Sequence, residues 1–386
     1  TETSTLAPGI VQKINYAKAA DGKTMVFYTA TGDITNDNVS VYANYNNNNP
    51  AGGWAVQRVM DQANAAQSKY GNPESDKYIE NFNVVASING AGYDMYTGEP
   101  SGILTMGGKV YHPIDAHGFF AILDDGTAMI GTMDQYNALI AERPGCVKEA
   151  IATFGDLIRD GQIVAADHGD RASRTAVGIT ATGKVVFMVL DGRQGDLSCG
   201  GDMREIAQIM YEAGCVVAVN LDGGGSSTYV AKQPGDDELT VVSKPSDGIS
   251  RSVSTSLYMV STAPDSSVFD RAIIESNYAY FTLGASDTFT ATAVGATGNQ
   301  VEMPEGVEWA VADETIGAIT EDGVFTAYAE LNSILSIYFG EEMSITPSNP
   351  EVPDEDGTLK VTGPTGEVYP YVYQAKQYLL AGEGAE

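Results

Sequence analysis

The chain has 386 residues, 43% of them hydrophobic, and a formal net charge of −30 from 21 Lys and Arg against 51 Asp and Glu. That length and apolar content suit two or three domains with sizeable cores and exclude a disordered chain, and no apolar run reaches membrane-spanning length. The acidity argues against a nucleic-acid partner or an anionic membrane surface.

Residues 1 to 45 carry short alternating stretches such as Thr24-Met25-Val26-Phe27-Tyr28, which predict strands. A polar loop from Asn44 to Gly53 precedes Trp54, where a helix is expected with Val56, Val59, Met60 and Ala63 on one face. Trp54 itself reads as a core plug. A strand from Phe82 to Ile88 leads into Asn89-Gly90, and glycine turns near Gly107-Gly108 and Asp124-Asp125-Gly126 predict hairpins. Val147, Ala150, Ile151, Phe154, Leu157 and Ile158 fall at helical spacing and predict a second amphipathic helix, closed by Gly161. Thr175–Thr180 and Lys184–Leu190 predict a hairpin around Thr182-Gly183.

The segment that follows carries the chemistry. Val185 to Leu190 is an apolar strand ending in Asp191-Gly192-Arg193, and Cys215 to Val219 is a second, ending in Asn220-Leu221-Asp222-Gly223-Gly224-Gly225-Ser226-Ser227-Thr228. Between them Met203, Ile206, Met210 and Ala213 fall at helical spacing, with Asp202 and Glu205 as an N-terminal capping box and Gly214 as the stop. Strand, helix, strand most simply makes a βαβ unit with parallel strands, whose ligands sit beyond the carboxyl ends. Asp191 and Asp222 would converge there. Side chains alternate along a strand, so Asn220 and Asp222 share a face. Gly223 and Gly224 let the backbone approach a ligand, and Ser226 and Ser227 add hydroxyls. The set suits a sugar or a phosphate. The glycine run lacks a P-loop ending and a Gly-x-Ser-x-Gly elbow.

Beyond about Val260 the pattern changes to short strands, as in Thr288–Ala293, Val307–Val311 and Gly323–Ala327, with no convincing helix. This stretch resembles a bacterial Ig-like sandwich with Trp309 as its core aromatic. The expected organisation is an α+β domain over 1–262, with a mixed sheet and packed helices, then an all-β Ig-like sandwich over 263–345. An acidic linker and tail over 346–386 completes it.

Arg174-Thr175-Ala176-Val177-Gly178, Asp191-Gly192-Arg193, Glu205-Ile206-Ala207, the run from Asn220 to Thr228, and Pro245-Ser246-Asp247 with Arg251 together resemble the phosphodiester glycosidase family. Ser87-Ile88-Asn89-Gly90 followed by Pro100-Ser101-Gly102 resembles the family's earlier segment, which usually reads Asn-Gly-Gly-Phe where this chain has Asn89-Gly90-Ala91-Gly92-Tyr93. The resemblance implies hydrolysis of a sugar-1-phosphodiester, such as a GlcNAc-1-phosphodiester, at the anomeric carbon. It implies Asp222 or Asp191 near C1 and Glu205 as the other carboxyl, with Arg174, Arg193 and Arg251 for the phosphate. Asn89, Asn220, Ser226 and Ser227 would hold sugar hydroxyls or an N-acetyl group. Two alternatives stay open: a non-catalytic glycan-binding surface protein, and a phosphodiesterase that cuts the P–O bond.

The expected partner is a phosphorylated glycan or sugar phosphodiester, and no cofactor is required. A structural Ca²⁺ is compatible with so many carboxylates, although no twelve-residue loop motif supports it. His168, in Asp167-His168-Gly169-Asp170, reads as part of a solvated loop, and His112 and His117 as hairpin edges. Cys146, Cys199 and Cys215 are an odd number, and the helix between the last two rises about 18 Å, too far for a bridge. The start at Thr1 without a signal peptide suits a trimmed piece of an exported, secreted or cell-surface bacterial protein.

Overall fold

The computed structural model describes residues 1–166, 170–195, 197–278, 280–311 and 314–328. It also describes the backbone of Leu331–Asn332, Lys360–Thr362, Val368–Pro370 and Leu379–Leu380. His168 and most of the expected tail lie outside the described residues. The chain divides into two compact units that meet at Asp265 and Ser266.

The first unit opens with strands β1 (Glu2–Ala7), β2 (Ile10–Lys18), β3 (Thr24–Gly32), β4 (Val39–Tyr45) and the short β5 (Gln57–Arg58), then helix α1 (Val59–Tyr70). Strands β6 (Asn83–Asn89), β7 (Leu104–Met106), β8 (Lys109–His112), β9 (Gly118–Leu123) and β10 (Ala128–Gly131) lead to helix α2 (Met133–Glu142). After β11 (Val147–Arg159) and β12 (Gln162–Ile163) come β13 (Arg174–Thr180), β14 (Val185–Leu190), helix α3 (Met203–Glu212) and β15 (Cys215–Asn220). The unit closes with β16 (Tyr229–Ala231), β17 (Thr240–Val241), β18 (Ser252–Val253) and β19 (Thr255–Ser261).

Two sheets result, a large one that runs β1-β2-β3-β14-β13-β15-β11-β7-β8 and a smaller one ordered β17-β16-β6-β19-β4. Alternation along the strands explains how they stack. In β14, Val185, Phe187 and Val189 join a core between the sheets, while Val186, Met188 and Leu190 face Ile206, Ala207 and Met210 of α3. In β19, Leu257 and Met259 enter the same central core, while Tyr258 and Val260 pack with Val59, Ala63 and Ala66 of α1. The layers are therefore helix, sheet, sheet, helix. Strands buried on both faces read as continuous apolar runs, as Val185 to Leu190 does.

The first unit is mostly β, and among the described residues the chain has three α-helices, so the α+β expectation fits only loosely. The helix expected over 147–158 is a correction: these residues form β11, a long strand that pairs with β9, β7, β15 and β12. Their spacing matched a helix face, but Glu149, Ala152 and Thr153 between the apolar positions are buried too, as in a strand covered on both sides. The helix expected from Trp54 begins only at Val59. Trp54 is half-buried against the central core, edge-on to Tyr45 at 5.8 Å.

In the second unit Arg271–Glu275 pairs with Thr290–Val294, and Val324–Ala327 pairs with both Ser286–Thr288 and Gly317–Ile319. Ile274, Phe281, Phe289, Ile316 and Phe325 form its core, with Trp309 packed against them.

Candidate active site

Strands β14 and β15 both run antiparallel to β13, so they are parallel to each other with β13 between them. The βαβ expectation therefore changes in one respect: α3 crosses over a strand instead of joining neighbours. The sheet edge expected to carry the site is nonetheless formed, although Asp191 does not join Asp222 in it. The carboxyl ends of β14 and β15 and the amino end of β13 share one edge, where Arg174 pairs with Leu190 and Ala176 with Asn220.

Helix α3 forms as its sequence indicates. The Asp202 carboxyl accepts from the Glu205 amide at 2.8 Å, and Glu205 returns the bond to the Asp202 amide at 3.0 Å. Glu205 also takes a two-point grip from Arg171, which bonds Asp21 as well. These bonds commit both oxygens of Glu205 to structure, and it is not among the residues that line the cleft described below. Capping and pairing explain it without chemistry.

The loop after β15 is held on both sides. The Leu221 amide donates to Thr175, the Asp222 amide to Gly90, and the Gly224 amide to Ser173. Asn89 is the joint between the two sheets: its Nδ2 donates to the Asp222 carbonyl at 2.7 Å, and its Oδ1 accepts from Thr175 Oγ1 and the Thr228 amide. Asn89 is fully buried and lies behind the loop, not in the cleft, and buried Ser227 sits beside it, 3.2 Å from Thr175 Oγ1. Gly224 has φ +63, a conformation that favours glycine.

A cleft of about 390 Å³ opens at this edge, within the usual size for a small-molecule site. Its lining includes the polar side chains of Asn220, Asp222, Ser226 and Arg251, the aromatic and apolar ones of Tyr93, Met95 and Phe154, and Gly223. Burial pushes the Asp222 carboxyl above its usual range, against the pull of the Ser226 hydroxyl, the Gly223 amide and Arg251. Arg251 donates from Nε and Nη2 to Asp247 Oδ2, at 3.0 and 2.6 Å, and from Nη1 towards Ser226 Oγ at 3.5 Å. Asn220 is 6% exposed, and its Oδ1 has no hydrogen-bond partner among the described residues. A buried acceptor left unpaired costs about 1–3 kcal/mol, so this oxygen is suited to receive a ligand hydroxyl or amide.

The remaining expected site residues, Arg174, Arg193 and Asp191, are not among those that line the cleft. Arg174 is half-buried, donating to the carbonyls of Gly201 and Asp170, and its Cδ lies 3.7 Å from where a Cβ on Gly223 would stand. Arg193 is exposed at φ +59, with Nη1 3.7 Å from the corresponding position on Gly224. Asp191 is only 2% exposed, bonded to Tyr28 and Lys244, and does not line the cleft. Sequence reasoning missed Tyr93 and Phe154. Tyr93 closes the departing Asn89–Tyr93 segment, which was its only signal, and Phe154 was hidden in the segment misread as a helix. All three cysteines are free. Among the described residues no cluster of three or more His, Cys, Asp or Glu is arranged to hold a metal ion.

The phosphodiester glycosidase family model matches residues 82–260, which span β6 to β19 and every cleft residue. This region belongs to the phosphodiester glycosidase family. A bovine N-acetylglucosamine-1-phosphodiester alpha-N-acetylglucosaminidase is 30% identical over 179 residues, covering 41% of this chain and 32% of the relative. The chain thus spans about a third of that relative's length. The zebrafish enzyme's catalytic domain, solved auto-inhibited by its pro-peptide, is 22% identical with a TM-score of 0.50, covering 67% of this chain and 87% of that one. A hypothetical protein from Synechocystis has a TM-score of 0.52 at 14% identity, covering 67% and 63%. Both likenesses are of fold.

Proposed function

We propose that the cleft hydrolyses a sugar-1-phosphodiester at the anomeric carbon, giving the free sugar and a phosphomonoester, with a GlcNAc-1-phosphodiester as the model substrate. The observation that carries this reading is the presence of one half-buried carboxylate, Asp222, together with the Arg251 guanidinium in a cleft where no second carboxylate is among the lining residues. Ordinary glycoside hydrolysis uses two carboxyl groups, one of them an acid that protonates a poor leaving group. A phosphodiester leaves as a stabilised anion, and an arginine fork can supply much of what the acid would.

Asp222 then stands beneath C1 and stabilises the oxocarbenium-like charge. The C1–O bond breaks, its electron pair leaves with the phosphate oxygen, and water supplies the new C1 hydroxyl, its other proton passing to the released phosphomonoester or to solvent. Arg251 receives the phosphate, with Arg193 in the loop after β14 and Arg174 at the start of β13 adding positive potential. Asn220 Oδ1 and the Ser226 hydroxyl hold sugar hydroxyls or an N-acetyl group, and the Tyr93 and Phe154 side covers an apolar sugar face. The second unit, read as an Ig-like spacer, takes no part. No helix among the described residues is long and apolar enough to cross a membrane. An exported protein acting on phosphoglycans outside the cell is the setting that family and composition favour.

Turnover of a GlcNAc-1-phosphodiester tests the reading. Release of free GlcNAc with a phosphomonoester supports it. Ligand protection against heat across several sugar phosphodiesters, without turnover, would make the protein a glycan binder instead.

A further inference from the structure

Asp191 was expected beside Asp222, yet its side chain is turned to a different task. Its Oδ2 accepts from the Tyr28 hydroxyl at 2.9 Å, and both its oxygens stand within bonding distance of the Lys244 amide, at 3.0 and 3.1 Å. Its own backbone is fixed as well, the amide on the Val26 carbonyl and the carbonyl on Ser198 Oγ. Three residues further along, the Gln194 side chain donates to the Lys244 carbonyl. Lys244 is thus gripped at its amide and at its carbonyl by the same loop.

Lys244 begins the segment that ends at Arg251. Within that segment the Gly248 amide bonds the Pro245 carbonyl, and Asp247 holds the Arg251 guanidinium against Ser226. The loop that grips Lys244 also carries Arg193. A displacement of Lys244 would therefore move Arg251 relative to both Asp222 and Arg193.

We propose that Asp191 is a positioning residue, a buried clamp on Lys244 that sets the Arg251–Asp247 pair at the phosphate end of the cleft. This rests on the phosphodiester reading above. The charged or titratable groups that face Asp191 from the elements packed on it, among the described residues, are Tyr28 of β3 and Lys244. Burial pushes its carboxyl up to about 6, against the pull of the Tyr28 hydroxyl and Lys244. Above that pH the carboxylate accepts every bond offered. Below it one oxygen gains a proton and becomes a donor facing a donor, so the clamp weakens as pH falls.

The test is the ratio of kcat/KM for a GlcNAc-1-phosphodiester to that for an aryl glycoside of GlcNAc without phosphate, followed across pH. Asp222 acts on both substrates, so its ionisation cancels in the ratio. In the wild type the ratio falls as pH drops through about 6. In Asp191→Asn it is lowered by about tenfold to hundredfold, the scale of a misplaced contact, and has lost that limb. Gln194→Ala, a milder loss of grip on a less buried residue, lowers the ratio in the same direction. A catalytic Asp191 would instead collapse both activities together, and a merely structural one would leave the ratio at its wild-type value; either result overturns the proposal. Hydrogen exchange over residues 244–251 keeps the two readings separable. If the wild type turns over neither substrate, the phosphodiester reading fails. The clamp then stands only if exchange in that segment rises in the variants while 185–190 stays protected, and equal exchange overturns it.

Discussion

Replacing Gly225 with alanine tests the placement of Arg251 with a single methyl group. An ideal Cβ at that position would overlap Arg251 Nη2 and Asp247 Oδ2 and stand 2.5 Å from Arg251 Cζ. These atoms are the far ends of flexible side chains, and Gly225 does not occupy the left-handed region, so the backbone can accept alanine. Stability should then change by no more than about 1 kcal/mol, helped by the stiffer unfolded chain. The guanidinium, by contrast, has to leave its place. Losing a charge-assisted contact to the phosphate costs about 1.5–3 kcal/mol. At about 1.4 kcal/mol per decade, kcat/KM should fall roughly 10- to 150-fold. The assay is release of phosphomonoester from a GlcNAc-1-phosphodiester, beside the urea midpoint. A variant that folds normally and keeps wild-type kcat/KM would refute the assignment of Arg251 to the phosphate.

Asp222→Asn keeps the shape and removes the charge beneath C1; kcat should drop on the order of 10³-fold or more with the circular dichroism unchanged, and activity within tenfold would strike Asp222 from the mechanism. Glu205→Gln should cost about 1 kcal/mol through the weakened cap and the lost Arg171 pair, seen as a lower urea midpoint, while kcat stays within about threefold of wild type; a collapse of kcat would restore Glu205 as a catalytic carboxyl. Glu149 lies buried between the amides of Ala43 and Gly107, and burial pushes its carboxyl from 4.5 up to about 8. Its folded state holds a proton that the unfolded state releases, so the contribution of Glu149 to stability should be fully present below about pH 4.5 and be lost as pH rises through about 8. Glu149→Gln should remove that slope from the urea midpoints, and an unchanged slope would assign it to another group.

Much of the site was legible because its signals are local. The Asp202–Glu205 box, the apolar strand from Val185 to Leu190 and the stop at Gly214 each depend on residues within one turn or one strand. The same holds for α2, whose Thr132–Gln135 capping box was present in the sequence and overlooked. What was not legible depends on pairing between distant segments. Nothing in Val185–Asn220 announces that β13 lies between its two strands, because sheet order is decided by non-local hydrogen bonds. Asn89 carries the same amide whether it meets a sugar or the Asp222 carbonyl, and only the approach of the two sheets decides between them. Asp191 is similar, since its partners Tyr28 and Lys244 lie 163 and 53 residues away. β11 failed for another reason: a strand covered on both faces has no alternation to reveal it, and a β-bulge between Phe154 and Asp156 further breaks its period.

Hydrolysis of a GlcNAc-1-phosphodiester in ¹⁸O-labelled water tests the central claim most directly. Attack at the anomeric carbon puts the new oxygen on the sugar, so mass spectrometry should find the label in the released GlcNAc and none in the phosphomonoester. Label in the phosphate would mean that the P–O bond is cut, and the account of Asp222 beneath C1 would be wrong.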